Sequence, residues 1–320
     1  MSDPQPMVSV ILITYNHGPF ISETLDSILR QEVDFPYEIV IGEDCSPDNT
    51  LEICEAYARR YPDRIRLLPS DRNWGMVNNY FRTITECRGK YVAFIDGDDY
   101  WTDPLKLARQ VDFLERNPEY GLVYTDIETI SMDGQVIRDE ALERRRKLYR
   151  QGEVFFDLFK ENFINTCTVM VAHDLFVPAK AKWNKYWFTY DYWLWMLVAM
   201  RAKVGYLPLK TAHYRKHPGG VTNSTVVTRN KKRTYYLFHH IVTLFDKRYG
   251  KPISETEKMI LFRKMLSLLY RRQGTWEMKR QILAILPKYN PGVYNTFRIF
   301  VGKMKRRLPA FLPRTIASQP

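Results

Sequence analysis

Before residue 100, three apolar runs each stop abruptly at polar residues: Val8 to Ile13 at Thr14-Tyr15-Asn16, Tyr37 to Ile41 at Glu43-Asp44, and Tyr91 to Ile95 at Asp96-Gly97-Asp98-Asp99. Short, continuously apolar runs of this kind suit strands buried on both faces of a parallel sheet. Helical patterns separate them. Phe20 to Gln31 sets Ile21, Leu25, Ile28 and Leu29 at helical spacing, Asn49 to Arg60 follows Asp48 as a candidate N-cap, and Met76 to Glu86 precedes the third run. Asp103-Pro104 then opens a further helix and Gly121 to Ile127 reads as a strand. Strand and helix in alternation predict an α/β fold: a mostly parallel central sheet flanked by helices. The carboxyl ends of such strands share one edge, where ligands bind. The three polar clusters are therefore expected to converge.

The sharpest cluster is Phe94-Ile95-Asp96-Gly97-Asp98-Asp99-Tyr100-Trp101. Three carboxylates within four residues at the end of a buried strand repel one another unless a cation sits among them. Magnesium and manganese bind one or two carboxylates together with substrate phosphates and suit such a site. A DxD on its own is more often a solvated acidic turn. Its place after a buried strand, with two companion clusters, favours the metal.

The segments VSVILITYNHGPFISETLDSIL, VIGEDCSPDNT and GKYVAFIDGDDYWTDP resemble, in order and spacing, the family 2 glycosyltransferases of the GT-A fold. The resemblance covers residues 7 to about 220. It implies an inverting transfer of a sugar from a nucleotide diphosphate sugar to a hydroxyl, with no covalent enzyme intermediate. Thr14, Tyr15 and Asn16 would hold the nucleotide, with Tyr15 near the base, and Asp44 would accept a hydrogen bond from a pyrimidine N–H. Glu43 stands where the family has a leading Asp and is a candidate substrate-binding residue. Asp96 would meet the ribose or the sugar, and Asp98 would bind the Mn2+ or Mg2+ that bridges the diphosphate.

Two later segments carry the remaining implied roles. Tyr190-Asp191-Tyr192-Trp193-Leu194-Trp195 resembles the family's acid-aromatic motif, which makes Asp191 the candidate base. Aromatic walls desolvate a carboxylate and make it a better proton acceptor. The plainer reading is a helix cap with aromatic core residues. Tyr214-Arg215-Lys216-His217-Pro218-Gly219-Gly220 resembles the family's YRxHxGG segment, with His217 as a metal ligand and Arg215 or Lys216 against the diphosphate.

Composition limits what the rest of the chain can be. With 45% hydrophobic residues in 320, the chain has ample material for a core. The four cysteines form no CxxC pair, so a zinc site or disulfide framework is not indicated and a reducing, cytoplasmic setting fits. No signal peptide or membrane span is read. Of the formal charge of +12, residues 271–320 carry 11 Lys or Arg and one acid, or +10, which leaves +2 for the rest. Basic residues interleaved with Trp276, Ile282, Leu286 and other apolar positions suggest peripheral attachment to an anionic membrane at its inner face, near lipid-linked or glycan acceptors. A helical face packed on the main domain is an equal reading, and nucleic acid is the weakest because no recognised motif accompanies the charge.

The expected division is a catalytic domain over 1–222, with a nucleotide half to about 127 and an acceptor half over 128–222, and a helical, basic C-terminal extension over 223–320. Gly134 to Gln151, rich in charge, reads as an exposed or mobile loop bordering the site. Two other functions compete. A metal-dependent nucleotidyltransferase would show a Gly-rich basic phosphate loop, which Thr14-Tyr15-Asn16-His17-Gly18 is not. A non-catalytic nucleotide-sugar-binding relative would have lost its acids.

Overall fold

The computed structural model describes residues 5–175, 191–220, scattered positions between 235 and 249, and residues 252–270 and 275–289. The chain divides into two compact units, Met1–Thr234 and Tyr235–Pro320. The first unit is built on an eight-stranded sheet. Its strands are β1 (Val8–Thr14), β2 (Tyr37–Glu43), β3 (Ile65–Leu68), β4 (Tyr91–Asp96), β5 (Tyr100–Trp101), β6 (Tyr120–Ile130), β7 (Met170–Ala172) and β8 (Lys203–Arg215). Its helices are α1 (Ile21–Leu29), α2 (Thr50–Arg60), α3 (Met76–Ile84), α4 (Lys106–Arg116), α5 (Glu140–Arg146), α6 (Phe155–Lys160) and α7 (Asp191–Ala199).

The spatial order is β3-β2-β1-β4-β7-β6-β8-β5. β1 pairs in parallel with both β2 and β4, and the register sets Thr14 against Glu43 and Ile13 against Asp96. β7 is antiparallel to β4 on one side and to β6 on the other, and β8 is parallel to β6. Two reversals cancel. β6 and β8 therefore run in the same sense as β4, and the carboxyl end of β8 lies on the same sheet edge as those of β1, β2 and β4. The expected mixed α/β architecture with a mostly parallel sheet is what the chain adopts. The β7 reversal and the two-residue strand β5 come in addition.

All seven residues of β1 are buried, as a strand covered on both faces requires. Val10, Leu12, Ile39, Ile41, Ala93 and Ile95 form one cluster with Ile21, Leu25 and Ile28 of α1. Asp48 lies one position outside the cap of α2, yet its Oδ1 still accepts from the Thr50 N–H at 3.1 Å. At α4 the cap position is Leu105, so Asp103 lies two positions outside it, although its Oδ1 accepts the Leu105 N–H at 2.9 Å.

The charged stretch after β6 departs from the expected open loop. Asp139 caps α5 by accepting from the N–H groups of Ala141 and Leu142. Arg146 bonds both oxygens of Asp126, at 3.1 and 2.9 Å, and Asn165 accepts from Arg145 at 2.8 Å. The basic run is thus spent partly on buried partners in β6 and beyond it.

In the second unit, α8 (Glu255–Tyr270) packs with α9 (Trp276–Tyr289). Ile282 and Leu286 of α9 are buried, whereas Trp276 is exposed. The rest of the basic tail, residues 271–274 and 290–320, lies outside the described residues. No helix among the described residues is long and apolar enough to cross a membrane.

Candidate active site at the carboxyl edge of the sheet

β1 ends in a turn that is fixed from the neighbouring loop. Asn16 has a φ of 59°, in the left-handed region where Asn is among the better-tolerated residues. Its N–H donates to Ser46 Oγ at 3.0 Å, the His17 N–H to Thr50 Oγ1 at 2.9 Å, and the Gly18 N–H to Asp48 Oδ2 at 2.8 Å. Thr14 is buried with its Oγ1 3.3 Å from His17 Nδ1, and Tyr15 is 44% exposed at the rim.

The two acids after β2 have different surroundings. Glu43 is fully buried, and its carboxylate accepts the N–H groups of Cys45 at 3.0 Å and Ser46 at 2.8 Å. That arrangement shapes the turn, in which Cys45 also takes a left-handed φ of 59°. The backbone N–H of Asp44 donates to Thr14 O at 3.1 Å, which joins the first two clusters. Its carboxylate accepts from Trp74 N at 2.8 Å and Gly75 N at 3.0 Å. Burial pushes the Asp44 pKa up, against the pull of those two N–H groups.

The third cluster follows β4. A Cβ on Gly97 would stand 2.5 Å from Thr14 Oγ1 and 2.9 Å from His17 Nδ1, so only glycine lets this turn approach β1 so closely. Asp96 is half-buried. Asp98 Oδ2 lies 3.0 Å from His217 Nε2 and 3.8 Å from His17 Nε2. Burial alone would raise the Asp98 pKa, but the His217 hydrogen bond and the charges of both imidazoles outweigh it and hold the carboxylate ionised. Asp99 takes the opposite course. It is buried beside the charges of Asp98 and Asp96, and its pKa is pushed well up despite the Arg215 N–H bond at 2.9 Å.

Arg215, at the end of β8, is nearly inaccessible and is spent on protein partners. Its Nε donates to Asp98 O at 3.1 Å, its guanidinium also reaches Met132 O at 3.0 Å and the Glu23 carboxylate, and the group packs between the rings of Phe20 and Tyr100. Lys216 Nζ pairs with Asp139 Oδ2 at 2.9 Å.

Asp191 begins α7, and its preceding neighbour Tyr190 lies outside the described residues. Burial raises the Asp191 pKa, offset in part by the Tyr192 N–H and by the Thr166 hydroxyl, which donates to Asp191 Oδ2 at 3.1 Å. The Tyr80 hydroxyl feels the charge of both Asp191 and Asp96. It is buried, and its pKa is raised first by that burial and then by the charges of Cys87, Asp191 and Asp96.

Thr14, Asn16, Glu43, Asp44, Asp96, Asp98, Arg215 and His217 therefore share one sheet edge, while Asp191 sits at the start of α7 against Thr166. Among the described residues, His17, Asp98 and His217 place candidate metal-ligand atoms within 4.8 Å of one another. His17 was not among the expected ligands. Its sequence signal is weak, because a histidine in TYNHG reads as turn chemistry.

Glycosyl transferase family 2 matches residues 9–176, and the chain is a member of that family. Among curated relatives, the uncharacterized protein Rv1520 of Mycobacterium tuberculosis is 33% identical over 228 residues, which cover 70% of this chain and 63% of that protein. The chain thus matches less than two thirds of that relative's length. S. aureus TarS in complex with UDP-GlcNAc has a similar structure, with a TM-score of 0.58 and 18% identity over 88% of this chain and 80% of that one. The mannosyltransferase PcManGT of Pyrobaculum calidifontis, in complex with GDP-Man and Mn2+, gives 0.51 and 18% over 96% and 82%. These two likenesses speak to the GT-A fold.

Proposed function

We propose that the chain transfers a hexose from a nucleoside diphosphate sugar to an acceptor hydroxyl with inversion at the anomeric carbon. The observation that carries this reading is the meeting of Asp98, just past β4, with His217, just past β8, across 3.0 Å, on the edge that also holds Thr14 and Asp44. The catalytic part corresponds to residues 1–222, with 1–127 serving the nucleotide and 128–222 the acceptor. The remainder is an extension.

Asp98 and His217 fit a divalent ion, with one ionised carboxylate and one imidazole nitrogen converging. When bound, such an ion supplies charge neutralisation at the departing diphosphate. Asp44 accepts an N–H of the base, Thr14, Tyr15 and Asn16 cradle the nucleoside, and Asp96 meets the ribose or sugar. Glu43 and Arg215 act here as positioning residues. Glu43 sets the turn that carries Asp44, and Arg215 holds the turn that carries Asp98. Asp191 accepts the acceptor's hydroxyl proton as the new C–O bond forms on the face opposite the nucleotide and the bond to the diphosphate breaks. The transition state has oxocarbenium character.

The PcManGT complex with GDP-Man and Mn2+ and the TarS complex with UDP-GlcNAc support a nucleotide-sugar donor and favour manganese. A UDP- or dTDP-sugar and a surface polysaccharide or glycolipid acceptor are the expected substrates. Exposed Trp276 beside Lys279 and Arg280 supports peripheral attachment at the inner face of an anionic membrane. The test is a panel of nucleotide sugars screened for thermal stabilisation with and without Mn2+, followed by turnover and NMR of the product anomer. Manganese-dependent stabilisation by one donor, lost in Asp98→Ala, is expected. Equal donor affinity with and without the ion, or a retained anomeric configuration, would refute the reading.

A further inference from the structure

We propose that His17 is a third ligand of the divalent ion and that the resulting set, two imidazoles and one carboxylate, selects a first-row transition ion over Mg2+. This rests on the divalent-ion reading given above and specifies which ion and which residues.

The geometry points to it from both sides of His17. Nδ1 is engaged by Thr14 Oγ1 at 3.3 Å, which leaves Nε2 as the outward-facing nitrogen. That Nε2 stops 3.8 Å from Asp98 Oδ2, beyond hydrogen-bonding distance, while His217 Nε2 approaches the same oxygen to 3.0 Å. An ion with bonds of about 2.1 Å holds neighbouring ligand atoms roughly 3 Å apart at right angles and somewhat over 4 Å apart when opposed. The three candidate atoms, within 4.8 Å of one another, need only a small contraction to meet that requirement. The two rings stand nearly perpendicular, with centroids 6.1 Å apart, so their nitrogens can converge without the rings colliding.

The His17 ring is also held in place. The N–H groups of residues 16 to 18 are tied to Ser46, Thr50 and Asp48, and Phe20 packs against the His217 ring at 5.0 Å. A hydrogen bond from the far ring nitrogen, such as the one to Thr14, is the usual way a metal-binding imidazole is oriented.

The donor set decides the ion. Mg2+ is held through oxygen and keeps most of its water, whereas imidazole nitrogen suits first-row transition ions, among which Mn2+ binds least tightly. A site with two nitrogens and one carboxylate oxygen leaves coordination positions for diphosphate oxygens and penalises magnesium.

The experiment uses the full chain, stripped with a chelator, and the metal ions alone. Binding of Mn2+ is measured by EPR, Mg2+ by competition, and directly bound imidazole nitrogens are counted by pulsed EPR. The variants are His17→Gln and His17→Ala, each first checked by its metal-free unfolding midpoint. The wild type is expected to show two coupled imidazoles and to bind Mn2+ at least ~10-fold tighter than Mg2+. His17→Gln is expected to show one imidazole, an Mn2+ affinity lower by about 10-fold or more, and a Mn2+/Mg2+ ratio closer to one. A single imidazole in the wild type, or an unchanged count and affinity in both variants, overturns the assignment of His17 and leaves the glycosyltransferase reading standing. No Mn2+ binding by the wild type, with or without added UDP, sinks both.

Discussion

Lys216 Nζ pairs with Asp139 Oδ2 at 2.9 Å, so the residue before His217 is fastened to the cap of α5. Thr129 Oγ1 donates to the same Asp139 oxygen at 3.0 Å, and Oδ1 caps the helix. Asp139 therefore connects β6, α5 and the loop that carries His217. Asp139→Ala removes a helix cap and leaves a lysine without its carboxylate, at a cost of about 2–4 kcal/mol. Urea unfolding should show that loss, and Mn2+ affinity should fall even though Asp139 is no ligand. Affinity unchanged in a destabilised variant would show that the loop holds His217 without help.

Cys45 is the one exposed thiol of the four, and it directly follows Asp44. An alkylating reagent should modify one cysteine per native chain quickly and the others only on unfolding. With UDP at about ten times its dissociation constant, alkylation should slow roughly tenfold, since only the free form reacts. Mass spectrometry of the labelled peptide reads the result. Labelling indifferent to every nucleotide tested would place the base elsewhere.

Asp191→Asn keeps the shape of the side chain and removes its basicity. Transfer should fall by roughly 10²–10⁴ while nucleotide affinity stays within about twofold. Because burial raises the Asp191 pKa above the ordinary carboxylate value of 3.8, the acid limb of the rate profile should lie above that value, with activity rising as the group ionises. A rate profile flat through the carboxylate range, or turnover retained in the variant, would move the base to another group.

Lys106 is fully buried, with Nζ 2.6 Å from Gln110 Oε1 and lying over the Trp101 ring, and burial lowers its pKa from 10.5 to about 7. Between those two values the unfolded chain holds a proton that the native chain does not. Stability from this group therefore climbs as pH rises from about 7 towards 10.5, with a slope no steeper than about 1.4 kcal/mol per pH unit. Below about 7 both states are protonated and the dependence stops. Urea midpoints of wild type and Lys106→Met across this window should diverge in slope, and parallel curves would mean that the ammonium is better solvated than its surroundings imply.

How much of this was legible in the sequence depended on how local each signal is. The three strand-end clusters could be read because an apolar run and the polar residues after it are adjacent in the chain, and a parallel sheet brings such ends together. The β7 reversal escaped, because three residues of strand carry no periodicity. Gly134–Gln151 read as open loop since charge density signals solvent, yet Arg146 and Asp139 find buried partners that lie far off in sequence. Arg215, which with Lys216 the resemblance sets against the diphosphate, also bonds Asp98 O, Met132 O and Glu23, contacts that no spacing rule reveals. His17 was missed for the same reason: its neighbours Asp98 and His217 come together only once the sheet has formed.

The pairing of Asp98 with His217 spans 119 positions, and β8 must seat beside β6 before it can exist. Contacts that close such long stretches of chain carry a large entropic cost until neighbouring structure has brought their ends together. Only β1 with β2, 29 positions apart at Val8 and Tyr37, closes a markedly shorter stretch, whereas β4 on β1 and β8 on β6 each close 83, at Val8 with Tyr91 and Tyr120 with Lys203, so the edge formed by Thr14 and Glu43 has the means to assemble before Asp98 and His217 are in place. If the proposed function holds, a folding chain would acquire somewhere to rest a nucleoside before it had any grip on a diphosphate.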